Sequence, residues 1–199
     1  MKSNSRSKTL LVILLSATLL ATGCSAHWIK VALADLPVLL QMALNIGSLA
    51  TTLQSGKQLS ATDAAAIQNI SNQASRDLNL LQTLYNEYEA SPSATTIQEI
   101  QNAIADINNN LPALLQAAHV ADPVLSARVT AAVNLILTTV NSFAALIPHS
   151  AASASVQRVT RKAVTVPRPG DLKKQWNLQI CGPSGKAELD SARLSCAVR

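Results

Sequence analysis

The sequence contains few of the side-chain combinations that perform catalysis or hold metal ions. Its three histidines, His27, His119 and His149, lie far apart, and none stands at a metal-ligand spacing from another histidine or a cysteine. His119 and Asp122 fall at a predicted helix boundary, where capping is the more common role. The chain also lacks a glycine-rich phosphate loop and a nucleophile elbow. We therefore expect no enzyme activity, no metal site and no cofactor.

Two cysteines near the C-terminus have the spacing of a local disulfide. Cys181 and Cys196 would close a loop of about 15 residues, which contributes about 3 kcal/mol by chain entropy. Cys181 precedes Gly182-Pro183 and could serve as a thiol nucleophile, but a second cysteine so near favours the structural bond. Once this pair has formed, Cys24 is the cysteine left over.

Charge divides the chain into two parts of opposite sign. Residues 24–147 contain four basic and eight acidic side chains, whereas residues 148–199 contain nine basic and three acidic ones. Clustered cations beside an aromatic ring suit an anionic surface, such as lipid headgroups or an envelope polymer. A solvated tail whose charges only aid solubility is an equally good interpretation. The residues predicted for the contact are Arg161, Lys162, Lys173, Lys174 and Trp176.

The first 23 residues have the organisation of an export signal. Three basic residues and no acid occur within residues 1–8. An uncharged run from Thr9 to Thr22 follows, and it is shorter than a membrane-spanning helix requires. Export separates the basic tail from the nucleic acid of the cell, so we expect no nucleic-acid partner.

The signal ends in Ala21-Thr22-Gly23-Cys24, which resembles the lipobox of bacterial lipoproteins. The resemblance covers the signal alone. It implies cleavage before Cys24, acylation of Cys24 with chains such as palmitate, and membrane lipid as the partner at that end. Cleavage by an ordinary signal peptidase, which would leave the Cys24 thiol unmodified, is the alternative.

The elements that carry these residues must be built from aliphatic side chains. Aromatic residues form only 3% of the sequence although 48% is hydrophobic, and such a composition favours close-packed helices. Apolar residues recur at intervals of three and four in four stretches: Leu39 to Leu53, Ile67 to Tyr88, Ile97 to Ala118, and Leu125 to Ile147.

Capping residues mark where these helices should begin. We expect Pro37 in the first turn of the first helix, a cap at Thr62 or Asp63, a capping box from Thr96 to Glu99, and a cap at Asp122 before Pro123. Pro112 should kink the third helix or divide it into two coaxial parts.

Short connections between the stretches favour antiparallel neighbours. The sequence therefore predicts an all-α fold: an antiparallel up-down bundle of about four helices with a basic, partly irregular C-terminal tail. In the tail, alternation of Trp176, Leu178 and Ile180 predicts a short strand. Residues 129–147 carry no charge and could span a membrane, but polar residues on one side of this stretch favour an amphipathic helix.

These observations divide the chain into five segments and suggest a role. We predict an exported protein of the bacterial cell envelope, anchored in a membrane through Cys24, with a binding or scaffolding function. The alternative is a secreted or membrane-inserting helical protein, toxin-like or pore-forming. The segments are a signal peptide (1–23), an N-terminal tether (24–36), the helical bundle (37–147), an extended linker (148–170) and a small disulfide-closed basic tail (171–199).

Overall fold

The computed structural model describes residues 4–147, 166–191 and 196–198, with side chains from Trp28 onward. No strand occurs in these parts of the chain, which confirms the all-α prediction for them. The helices are α1 (Asn4–Ser55), α2 (Ala61–Ala90), α3 (Ala94–Ala117), α4 (Pro123–Leu146), α5 (Pro169–Gln179) and α6 (Ala187–Ser191).

Helix α1 runs through the region where the sequence indicated a tether. Pro37 lies inside α1 rather than in its first turn. Trp28, Ala32 and Leu36 are buried in the core, so the predicted tether is wrong from Trp28 onward. The physical reason is that these residues extend the apolar stripe of the first helix by about three further turns toward the N-terminus.

Helices α1 and α2 approach closely at a polar contact. The Ser71 hydroxyl donates to the carbonyl of Ala43 at 2.7 Å, and the Gln68 amide donates to the carbonyl of Gly47 at 2.8 Å. A Cβ atom on Gly47 would stand 2.7 Å from the Ser71 hydroxyl oxygen. Glycine is therefore the residue that lets the two backbones come this near.

Aromatic rings join the other end of α1 to α2 and α4. The Trp28 ring lies 5.5 Å from the Tyr85 ring and 5.6 Å from the Tyr88 ring, measured between centroids. Tyr85 in turn contacts Phe143 of α4 at 6.3 Å. Such edge and tilted arrangements add to the stabilisation gained by burial alone.

Helix α3 packs against α2 and α4, and α4 also packs against α1. Asn108 of α3 and Asn141 of α4 exchange two hydrogen bonds, of 2.8 and 3.0 Å. Of the two outcomes expected at Pro112, division of the helix does not occur, because α3 continues through this residue.

The helix starts agree with the predicted caps only in part. Asp122 caps α4 as predicted, because its Oδ1 accepts the backbone N–H groups of Val124 and Leu125, each at 2.9 Å. Ser60 and Ser93 cap α2 and α3, so the caps predicted further along the chain are wrong. A serine accepts the same backbone bond, and the earlier start adds helical hydrogen bonds.

The C-terminal segment is helical where a strand was predicted. Leu172, Trp176 and Ile180 are buried, whereas Leu178 is 68% exposed. Burial thus repeats every four residues rather than every two, which is the period of a helix face. Helix α5 begins at Pro169, so the predicted linker does not extend to residue 170. Residues 148–165 of that linker lie outside the described residues.

Candidate binding cleft and docked C-terminal segment

A disulfide and one buried carbonyl group hold the C-terminal segment against the helical body. Cys181 and Cys196 lie at bonding distance, with sulfur atoms 2.05 Å apart, in the pairing expected from their spacing. The carbonyl oxygen of Cys196 accepts from Nδ2 of Asn45 in α1 and from Nε1 of Trp176 in α5, each at 2.9 Å. Cys196 therefore connects two helices that are distant in sequence.

Ion pairs add a second attachment, at the start of α4. Lys186 donates to Oδ2 of Asp122 at 2.6 Å, and this bond, with that from the backbone N–H of Leu125, lowers the pKa of Asp122. Arg128 of α4 donates to the carbonyl of Gly182 at 2.5 Å and lies 3.5 Å from the Asp190 carboxylate. The cation of Lys186 is thus used within the protein.

The acidic partners in this attachment are ionised at neutral pH. The backbone N–H and the hydroxyl of Ser184 both donate to Asp190, at 2.8 and 2.9 Å, and they lower the pKa of its carboxyl group. The carboxylate of Asp122 bonds to Lys186 and to its own helix start, and no described bond joins it to His119. The Asp122 carboxylate therefore caps α4 and anchors Lys186 of the C-terminal segment.

One residue predicted to contact an anionic surface is unavailable. Trp176 is fully buried and its N–H group is bonded to Cys196, so that prediction is wrong. An indole at the helix period of α5 gains more from the core than from a headgroup layer. Lys174 is exposed on α5 and Lys173 is half-buried. Arg161 and Lys162 lie outside the described residues.

A cleft that the sequence did not reveal lies beside the part of α1 from Trp28 to Asp35. Its volume is about 640 Å³, and the end of α4 and the residues that lead into α5 form its other walls. Most of the lining is apolar, with one acid and two cations among it. The lining residues are Trp28, Lys30, Val31, Ala34, Asp35, Leu146, Val166, Pro167, Arg168 and Pro169.

Asp35 is the unusual residue of this cleft. It is 1% exposed, and neither of its carboxylate oxygens has a hydrogen-bond partner. Burial raises the pKa of its carboxyl group to about 6. The indole N–H of Trp28, in the same lining, is also buried without a partner. Buried polar groups are nearly always paired in proteins, so the unpaired groups of Asp35 and Trp28 make this cleft the candidate binding site.

A signal for this site was present in the sequence. Asp35 occupies a seam position in the repeat of α1, between Ala32 and Leu39, where every neighbouring seam residue is apolar. A charged residue at such a position is costly unless it has a partner. The walls from α4 and from residues 166–169 were not predictable, because they come from distant parts of the chain.

Among the described residues, no group of three or more His, Cys, Asp or Glu side chains could hold a metal ion. Within the part of the chain that the structure describes, two helical stretches are long and apolar enough to cross a membrane, Trp28–Ser55 and Pro123–Leu146. Their most apolar windows are 56% and 44% buried within the protein, and core helices of soluble proteins share this character.

The chain matches no protein-family model, no curated protein and no solved structure.

Proposed function

We propose that this chain is a lipoprotein of the bacterial cell envelope, with a helical body that Cys24 holds on a membrane for a binding or scaffolding role. The spacing between the lipobox-like sequence and the core carries the proposal. Cys24 lies four residues before Trp28, the first buried residue described. Four residues span about 6 Å in a helix, so acyl chains on Cys24 would keep this end of the body at the bilayer surface.

The contacts between helices support an antiparallel up-down bundle for α1 to α4. Gly47 meets Gln68 while Trp28 meets Tyr85, so contact positions rise along α2 as they fall along α1. Tyr85 also meets Phe143, near the end of α4. In an up-down bundle the start of α1 and the end of α4 share one end, and the cleft at Asp35 then lies at the end nearest Cys24.

Exposed cations at this end suit the surface of an anionic membrane. Lys30 and Arg168 are exposed at the cleft, and Lys174 is exposed on α5, six residues after Arg168. A cation close to an anionic bilayer contributes about 1 kcal/mol to binding. Together with Lys173 and with Arg161 and Lys162, these side chains would add surface attraction to the hold of the acyl chains.

The intact mass of the mature protein tests the anchor. The chain is expressed with its own signal in a bacterium and extracted from membranes with detergent. We expect a polypeptide that starts at Cys24 and carries added acyl mass, whereas the Cys24→Ser variant should lack that mass. A wild-type chain that starts near Cys24 without acyl mass would overturn the proposal.

A membrane-inserting protein is the second candidate, because two described stretches are apolar enough to span a bilayer. Dye release from vesicles distinguishes the two functions. Under the proposed function, the Cys24→Ser protein binds the vesicle surface and releases no dye. Concentration-dependent release by this unacylated protein would support insertion instead.

A further inference from the structure

We propose that the cleft beside Asp35 binds the headgroup of an aminophospholipid, with the ligand's ammonium group on the Asp35 carboxylate and its phosphate between Lys30 and Arg168. The inference deepens the proposed function and rests on it for the supply of lipid at this end of the body. The chemistry of the cleft does not depend on Cys24, so the two are tested separately.

The carboxylate of Asp35 needs a cation that the described residues do not supply. Both of its oxygens are buried and unpartnered. Lys30 and Arg168 line the same cleft, but neither forms an ion pair with Asp35. A primary ammonium group has three N–H donors and can bond both oxygens. Pairing would relieve the cost of an isolated charge in an apolar wall.

The two cations at the cleft suit the next group of the same ligand. Lys30 and Arg168 are exposed, so they stand toward solvent while Asp35 lies within. An arginine fork and a lysine ammonium are common donors to phosphate oxygens. The unpartnered N–H of Trp28 offers a further donor within the lining.

The order of charges selects a ligand with both signs. A simple anion would leave Asp35 unpaired, and a simple cation would leave Lys30 and Arg168 unused. An aminophospholipid extends from its bilayer with the phosphate first and the ammonium at the tip, which matches cations outside and a carboxylate inside. Apolar walls from Val31, Leu146 and Val166 can cover the glycerol and the first carbons of the acyl chains.

The size of the cleft also fits such a headgroup. Its volume of about 640 Å³ lies within the usual range of sites for small organic ligands, of about 300 to 1,000 Å³, and exceeds what one ion needs. Because Asp35 is only 1% exposed, we expect the side chains around it to shift as the ligand enters.

Calorimetric titration with water-soluble dihexanoyl phospholipids tests the proposal on the full chain with Cys24→Ser, kept in a mild detergent. The ethanolamine lipid should bind at least about tenfold more tightly than the choline and glycerol lipids. Choline keeps the positive charge but has no N–H donor, and the glycerol lipid keeps the phosphate without a cation. Equal affinity for the three lipids would overturn the proposal.

Two variants assign the groups. Asp35→Asn keeps the size of the side chain and should remove the preference for ethanolamine, whereas Asp106→Asn, at an exposed acid of α3, should retain it. The double variant Lys30→Gln, Arg168→Gln should weaken the binding of all three lipids alike and retain the preference for ethanolamine. A preference that survives Asp35→Asn in a protein with the wild-type circular dichroism spectrum contradicts the proposal.

A third variant guards against loss of the fold, and the mass measurement keeps the two proposals separate. Asp35→Ser should also remove the preference, so a preference retained in either folded variant counts against the inference. An ethanolamine preference without acyl mass on Cys24 would refute the anchor alone. Acylation without that preference would refute the lipid site alone.

Discussion

Asn45 and Cys196 are 151 positions apart in the sequence and are joined by a hydrogen bond of 2.9 Å from the Asn45 amide to the Cys196 carbonyl. Both residues are buried, and the Gln41 side-chain amide donates to the side-chain Oδ1 of Asn45 at 2.8 Å. The end of the chain is therefore part of the same core as α1. A segment that the composition marks as a basic tail contributes to the stability of the whole protein.

Removal of this bond should lower the stability of the protein. Asn45→Ala deletes a buried donor and leaves a small cavity, so we expect the free energy of unfolding to fall by about 1 to 3 kcal/mol. Urea denaturation followed by circular dichroism gives the value. Asn72→Ala, at an exposed position of α2, is the matched control and should change stability by less than about 0.5 kcal/mol. Equal effects of the two variants would contradict the prediction.

Loss of the disulfide should release the C-terminal segment before the helical body unfolds. In the double variant Cys181→Ser, Cys196→Ser, the free energy that holds the C-terminal segment on the helical body should fall by about 3 kcal/mol. The reason is that the disulfide no longer restricts the segment's unfolded state. Limited proteolysis should then cut within residues 182–195 and spare α1 to α4. Reductant should make the wild type equally sensitive and leave the variant unchanged. Resistance of the reduced wild type would count against this role of the bond.

The buried Asp35 carboxyl should make stability fall as pH rises from about 4 to about 6. Its folded pKa of about 6 lies above its ordinary value of 3.8, so between these values the folded protein binds a proton that the unfolded chain has lost. Above pH 6, Asp35→Asn should be more stable than the wild type by on the order of 1 kcal/mol, and the difference should vanish toward pH 4. Thermal melts across this range measure it.

Asp122 provides a comparison of opposite sign, because its bonds to Lys186 and to the start of α4 lower its pKa. Its contribution is present above the ordinary pKa and is lost as pH falls through the lower, folded value. Asp122→Asn should therefore be less stable than the wild type at neutral pH. Parallel pH profiles for the two variants would contradict both assignments.

The basic side chains should control binding to anionic vesicles. Changing Arg161, Lys162, Lys173 and Lys174 together to Gln removes four charges, and we expect binding to weaken at least about tenfold at low salt. Vesicle sedimentation at two salt concentrations measures this, with the Cys24→Ser background excluding the acyl chains. Lys57→Gln with Arg76→Gln, in the connection between α1 and α2 and on α2, should have little effect. Unchanged binding in the fourfold variant would remove the tail from the proposed role.

The sequence predicted those parts of the fold that depend on local repetition. The stripes of α2, α3 and α4 were visible because apolar residues recur along each helix, and Asp122 with Pro123 marked a helix start. The strand expected around Trp176 was wrong because three alternating residues are too few to distinguish a strand from a helix. Pro37 indicated a start, but the stripe continues through it.

The candidate site depends on contacts between distant segments. The charge of Asp35 is visible in the sequence, but its burial requires the packed helices around it. The cleft adds Leu146 and Arg168, which no local pattern connects to α1. Trp176 illustrates the same point, because its partner Cys196 is brought near by the disulfide. Local periodicity contains none of this information.

The contact of Gly47 with Ser71 has a consequence for how α1 and α2 choose their alignment. Their exposed faces carry few charges, so their alignment depends on contacts within the core, and sliding by one turn would separate Trp28 from Tyr85 and Tyr88. Such a slide would also move the gap at Gly47 away from Ser71, a residue that is only 3% exposed. The Ser71 hydroxyl would then face a larger side chain. The absence of a side chain at Gly47 thereby acts with the ring contacts of Trp28 to favour one longitudinal register of the two helices.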